Sequence, residues 1–144
     1  MAVDRTKSAG YLTNWAARLF ARAIDRRLAG TGVSSAYMPV FFALIAGEPL
    51  SQTELARRAS VEQPTMARTL ARMERDGLLE RSSDPSDRRS TLHALSPLAR
   101  QKMQLVAAAG QAVNAEALGD LTAEEQAQLY AMLQRVIGRL EQMS

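Results

Sequence analysis

Between Leu50 and Leu95 the chain alternates helix caps, chain breakers and short apolar repeats so densely that few folds remain open to it. Ser51-Gln52-Thr53-Glu54 reads as a capping box, in which the Ser51 hydroxyl and the Glu54 carboxylate each satisfy an amide that the first helical turn leaves unpaired. Ala59-Ser60-Val61 turns the chain. A second helix is predicted over residues 61–75, with Met66, Leu70 and Met73 at spacings of four and three forming its inward stripe, and Asp76-Gly77 ends it. Residues 78–83 and 90–95 then have strand length on either side of Asp84-Pro85-Ser86-Asp87-Arg88-Arg89, whose proline and polar side chains suit a hairpin tip.

The order helix, turn, helix, hairpin carries a chemical expectation. With the apolar stripe inward, the second helix leaves Gln63, Thr65, Arg68, Thr69, Arg72 and Arg75 on its other faces. The major groove of a duplex admits such a helix, since Arg forks onto guanine and Gln onto adenine. Ser51 and Gln52, at the start of the preceding helix, complete the duplex-facing set on the helices. At the hairpin tip, Asp87 stands two residues before Arg89 and is expected to hold its guanidinium extended, which suits insertion into a narrow, electronegative minor groove, with Arg88 alongside. Taken singly, the helix is also a solvated amphipathic helix and the Asp-Arg-Arg run an ordinary charged turn. Their succession within one stretch favours the nucleic-acid reading.

The flanks are helical. Tyr11, Leu12, Trp15, Leu19, Phe20, Ile24 and Leu28 keep three-and-four spacing over residues 8–29, and Gly30-Thr31-Gly32 stops that helix. Ser34 or Ser35 caps the next, with Pro39 in its first turn and Tyr37, Val40, Phe41, Leu44 and Ile45 on one face, and Gly47-Glu48-Pro49 ends it. Ser96-Pro97 opens a long alanine-rich helix to about Leu118, and Thr122 with Glu125 caps a last one bearing Leu129, Leu133, Val136, Leu140 and Met143. That seam is too short to stand alone and calls for a partner helix, in this chain or in a second copy. Two amphipathic terminal helices remote from the hairpin favour the second copy.

Composition narrows the chemistry. The chain has no cysteine and a single histidine, His93, so disulfides, thiolate metal sites and histidine clusters are excluded. Neither a nucleophile with an adjacent base nor a phosphate-cradling glycine loop occurs; no catalytic residue, metal or cofactor is expected. Residues 1–50 carry six basic and three acidic side chains, 51–100 nine and seven, and 101–144 three and five, and all nine basic residues of the middle third are Arg. The guanidinium fork suits phosphates and base edges. No run approaches a membrane span and the N-terminus lacks an apolar signal core, so a cytoplasmic location with no membrane partner is expected.

In this order, Val61-Glu62-Gln63-Pro64-Thr65-Met66-Ala67-Arg68-Thr69-Leu70, Gly77-Leu78-Leu79-Glu80-Arg81 and Asp84-Pro85-Ser86-Asp87-Arg88-Arg89 resemble the MarR family of bacterial transcriptional regulators, over nearly the whole chain. Ser96 stands where the family usually has Thr, and Arg100 near a frequent Gly. The resemblance implies a mostly α fold with a small β-hairpin wing: a winged helix-turn-helix over residues 34–95, flanked by dimerisation helices over 8–29 and 96–143, in one domain spanning 1–144. It implies a homodimeric repressor on a pseudo-palindromic operator, with Arg89 in the minor groove and Asp87 orienting it. It further implies a small aromatic or phenolic effector in a cleft bordered by the first two helices, for which Trp15, Arg18, Tyr37 and Phe41 are the candidate lining residues. The alternative is a winged-helix interaction adaptor that does not read DNA.

Overall fold

Ser8 accepts the Tyr11 amide through Oγ at 3.2 Å and starts α1, Ala9–Arg27. The computed structural model describes residues 3–144; Met1 and Ala2, part of the N-terminus read above as lacking a signal core, lie outside the described residues. Gly30 and Gly32, at φ +81° and +78°, turn the chain after α1. Asp25 of α1 then accepts the amide of Ser35 at 2.7 Å and its hydroxyl at 3.0 Å, tying the short 3-10 turn Ser35–Tyr37 back to that helix. The turn runs into α2, Met38–Leu44, with Pro39 in its first turn and Tyr37, Val40, Phe41 and Leu44 buried. Ile45, expected on the same face, lies past the last helical residue and is exposed.

A short strand then appears that alternation could not announce. β1, Leu50–Ser51, pairs antiparallel with the wing through Leu50↔His93 and Ser51↔Leu92. α3, Gln52–Ala59, follows; its start is only half of the expected capping box. Ser51 Oγ accepts the Glu54 amide at 3.2 Å, but the Glu54 carboxylate holds Arg57 at 2.6 Å and Arg58 at 2.8 Å instead of reaching back. Two cations one turn away outcompete a neutral amide for a carboxylate, and they hold the Glu54 carboxyl at about 2. Ser60 closes α3 in the left-handed region, at φ 54°.

α4, Gln63–Arg75, starts two residues later than the sequence pattern suggests, with Glu62 as N-cap and Pro64 in the first turn. Met66, Leu70 and Met73 are buried as expected. Gly77, at φ +75°, releases the chain into β2, Leu79–Asp84, which pairs antiparallel with β3, Asp87–Leu95, so that the sheet order is β1-β3-β2. The expected loop over 84–89 contracts to Pro85-Ser86 because Asp84 Oδ1 accepts both the amide and the hydroxyl of Ser86, at 2.9 and 2.7 Å. Ser96 stitches the end of the wing: its hydroxyl donates to the Gly77 carbonyl at 2.6 Å and accepts the Ala99 amide at 3.2 Å, opening α5, Pro97–Ala117. A Thr is therefore not needed there.

The chain divides into two compact units, one running to Gly110 and the other covering Gln111–Ser144. The first holds a continuous core in which Val40, Phe41, Leu55, Met73, Leu78 and Ala99 are wholly shielded. Each large side chain buried in this way contributes about 1.5–3 kcal/mol, enough to hold α2, α3, α4 and the wing sheet as one body. In the second unit, Thr122 and Glu125 form a complete capping box for α6, Ala123–Met143. Gln126 donates to the carbonyls of Leu118 and Leu121 at 3.1 and 3.2 Å, fastening that helix to its preceding turn. No described helix is long and apolar enough to cross a membrane.

Candidate nucleic-acid interface

The inward stripe of α4 fixes what the helix shows to solvent. Gln63, Thr65, Arg68, Arg72 and Arg75 are exposed, whereas Thr69 is half-buried and donates its hydroxyl to the Thr65 carbonyl at 3.1 Å. The start of α4 lies beside the start of α3, and Gln52 Nε2 donates to Gln63 Oε1 at 3.0 Å. Arg68 leans on Thr65, Nη2 to Oγ1 at 3.5 Å. Ser51 is half-buried, its hydroxyl committed to capping α3 and its backbone to β1. Between α3, α4 and the sheet lies a polar cleft of about 340 Å³, bordered by Gln52, Ala67, Glu74, Arg81, Thr91 and His93.

At the wing tip Asp87, Arg88 and Arg89 are all exposed. Asp87 does act on Arg89, but through the backbone: its Oδ1 accepts the Arg89 amide at 3.0 Å. An amide two residues on is within reach of a short carboxylate at no cost in side-chain freedom, whereas gripping the guanidinium would immobilise a long side chain. The carboxylate therefore sets the path of the strand and makes no ion pair with the guanidinium.

The arginines fall into two classes. Arg57 and Arg58 are paired with Glu54, Arg75 with Asp76 at 3.4 Å, and Arg81 with Glu74 at 3.4 Å, a link from β2 to α4. Arg72 lies over the ring of Tyr37, its guanidinium carbon 5.5 Å from the ring centre. Arg68, Arg88 and Arg89 make no ion pair among the described residues. A cation without an intramolecular carboxylate meets an external anion without first breaking an ion pair, so these three are the chemically available charges of the helix and wing tip.

Of the four side chains read as an effector lining, two lie in the core and two on α1. Tyr37 and Phe41 are core residues, and the Tyr37 hydroxyl donates to Asp76 Oδ2 at 2.7 Å. Trp15 is half-buried on α1, edge-on to Tyr11 with ring centres 6.2 Å apart and covered by the Arg5 guanidinium at 4.5 Å, and Arg18 is exposed. Residues beyond the sequence reading also belong to this region. Asp76 and Tyr37 meet across 39 positions, a separation no local pattern reports. Arg81 carries the helix-to-wing link, which its place on an exposed strand opposite a helical Glu could have suggested.

Three solved proteins share this architecture. The transcriptional regulator PA3341 is 32% identical, with 94% of this chain and 99% of that one covered at a TM-score of 0.78. A mutant of Escherichia coli MarR complexed with operator DNA is 27% identical over 88% of this chain and 91% of that one, at 0.77. The PcaV regulator of Streptomyces coelicolor, in complex with its natural ligand, is 25% identical over 96% and 97%, at 0.82. The MarR family model itself matches residues 31–90, the segment from the turn after α1 to the wing tip. With that match and a 32%-identical transcriptional regulator aligned along nearly its whole length, the chain belongs to the MarR family of transcriptional regulators.

Proposed function

We propose that the chain is a homodimeric repressor, one domain over residues 1–144, that occupies a pseudo-palindromic operator and is released by a small aromatic or phenolic effector. The observation that carries the DNA reading is the set of unpaired arginines: Arg68 on the exposed face of α4, and Arg88 and Arg89 on the wing tip. In this reading α4 lies in the major groove with Gln63, Thr65 and Arg68 toward base edges and Thr69 beside them. Ser51 and Gln52 face the backbone, Arg72 and Arg75 the phosphates, and Arg89 enters the minor groove from a strand that Asp87 shapes. The E. coli MarR complex with operator DNA supports this.

Release is geometric. Two recognition helices must stand about one duplex turn apart, roughly 34 Å, to enter the major groove together. An effector that binds better to another spacing shifts the population away from the competent one. PcaV in complex with its natural ligand supports an effector. On α1, Trp15 offers an aromatic surface and Arg18 a cation one turn away.

Selection from a randomised duplex library, followed by a salt titration of the enriched sequence, tests the reading. The expected result is an inverted repeat whose binding weakens steeply with salt. Absence of any enriched sequence, or salt-insensitive binding, would favour an interaction adaptor instead. Trp15 is the chain's one tryptophan, so its fluorescence reports a phenolic carboxylate directly: saturable quenching together with loss of the duplex is expected, and neither change would remove the effector.

A further inference from the structure

α4 ends on a residue that helix electrostatics disfavour. Asp76 is its C-cap, where the partial negative charge of the helix end repels a carboxylate. Three neighbours answer that cost. Tyr37, 2% exposed at the entry to α2, donates its hydroxyl to Asp76 Oδ2 at 2.7 Å. Arg75 Nε approaches Asp76 Oδ1 at 3.4 Å, and the Arg72 guanidinium lies over the Tyr37 ring at 5.5 Å. One buried phenol thus touches two of the three arginines of α4, one through its ring and one through the carboxylate it binds.

We infer that Tyr37 is a positioning residue for DNA recognition: its hydroxyl on Asp76 and its ring beside Arg72 fix the end of α4 against α2 and set the orientation in which the helix meets a duplex. The inference rests on the reading that α4 enters DNA. A buried phenol needs an acceptor, and an apolar residue in its place would fill the core as well, so its polar atom is explained by what it holds. The bond persists through the neutral range. The Tyr37 hydroxyl holds the Asp76 carboxyl below its ordinary value against the opposing effect of burial, with Arg75 and Arg72 adding to the lowering. Burial, reinforced by Asp76, raises the Tyr37 phenol above its own.

Such a contact acts on specific binding rather than on binding in general. Base-edge contacts demand one register and tilt of the helix, whereas the electrostatic attraction to phosphates tolerates many. Loosening the end of α4 therefore lowers the preference for the right sequence and leaves attraction to arbitrary duplex in place.

The test uses the full-length protein, the duplex that it enriches from a randomised library, and a scrambled duplex of equal length. Tyr37→Phe keeps the ring and the core volume and deletes only the hydroxyl. Measured well below the melting temperature, it should lower the ratio of enriched to scrambled affinity about three- to tenfold with scrambled binding unchanged. Asp76→Ala, which also removes the Arg75 pair, should lower the ratio at least as far, and the double variant no further than Asp76→Ala alone, because the Tyr37–Asp76 bond is already lost in it. A ratio within about twofold of wild type, even with a lowered melting temperature, or additive losses in the double variant, would overturn the inference and leave Tyr37 a purely structural residue. If the wild-type protein enriches no sequence, the DNA reading fails and takes this inference with it; enrichment with an indifferent Tyr37→Phe removes the positioning role alone.

Discussion

His93 is 7% exposed on β3, opposite Leu50 on one side and Arg81 on the other, and its Nδ1 is buried with no hydrogen-bond partner among the described residues. Burial chiefly, then the Arg81 charge from β2, lowers its pKa, and Glu74 on α4 opposes them. The unfolded chain therefore binds this proton more tightly than the folded one. Stability from this site is complete above the ordinary value of about 6.5 and declines as the pH falls from there toward the lower folded value, levelling off below it. The melting temperature should drop on mild acidification, before the carboxylates titrate, and His93→Leu should flatten that part of the curve. An equal drop in the variant would place the acid sensitivity elsewhere. Single side chains were legible in the sequence to the extent that their partners are local. Asp87 reaches Arg89 as its spacing predicts, but through the amide; Glu54 stands at the third position of α3 as the cap pattern predicts, but its carboxylate goes to Arg57 and Arg58. In both cases the spacing was readable, and the competition among acceptors and donors at that spacing was not.

Among the elements, α1, α4 and α5 carry apolar periodicities and end near Gly, and α6 carries one that starts on a capping box, so their existence and approximate limits could be read from the residues. β1 could not, because two residues show no alternation and are a strand only by virtue of lying beside His93 and Leu92. The wing is tighter than its polar tip suggests, since Asp84 folds Ser86 back and lets pairing extend to Asp84↔Asp87. Arg88 and Arg89 are thereby mounted on a strand rather than on a loop. In the proposed function, a strand-mounted wing and a buried-stripe helix make separable contributions to recognition. Arg89→Ala should weaken the enriched duplex by about 1–3 kcal/mol, the worth of a good groove contact, with little effect on core base preferences. Arg68→Ala should instead relax the preference at one base pair of each half-site in a repeat selection. If both variants weakened all duplexes alike, neither residue would be reading the groove it has been given.

At the scale of the whole molecule, the apolar surface left over by each unit has to be accounted for. α1 exposes Tyr11, Leu12 and Leu19, and α6 exposes Val136, Ile137, Leu140 and Met143, with Met132, Val136 and Leu140 bordering a groove of about 430 Å³ between Arg135 and Arg139. Scattered apolar side chains on a surface need no explanation, but a run of them along one helix does. A second copy of the chain is the occupant the proposed function calls for, because one recognition helix and one wing hold too few contacts to select a site. Val136→Glu and Leu140→Glu place charge on side chains that are already exposed, so each unit should keep its fold. Sedimentation velocity should then show a dimer for the wild-type chain and a monomer for the variants. Joining two half-site binders raises affinity by the effective concentration of the second, so the variants should bind the full inverted repeat about a hundredfold or more weakly, with a salt dependence reduced toward that of one half-site. A dimer that survives both substitutions would move the seam off this face of α6, and a monomer that still bound the full repeat with wild-type affinity would mean that recognition does not depend on pairing the two wings at all.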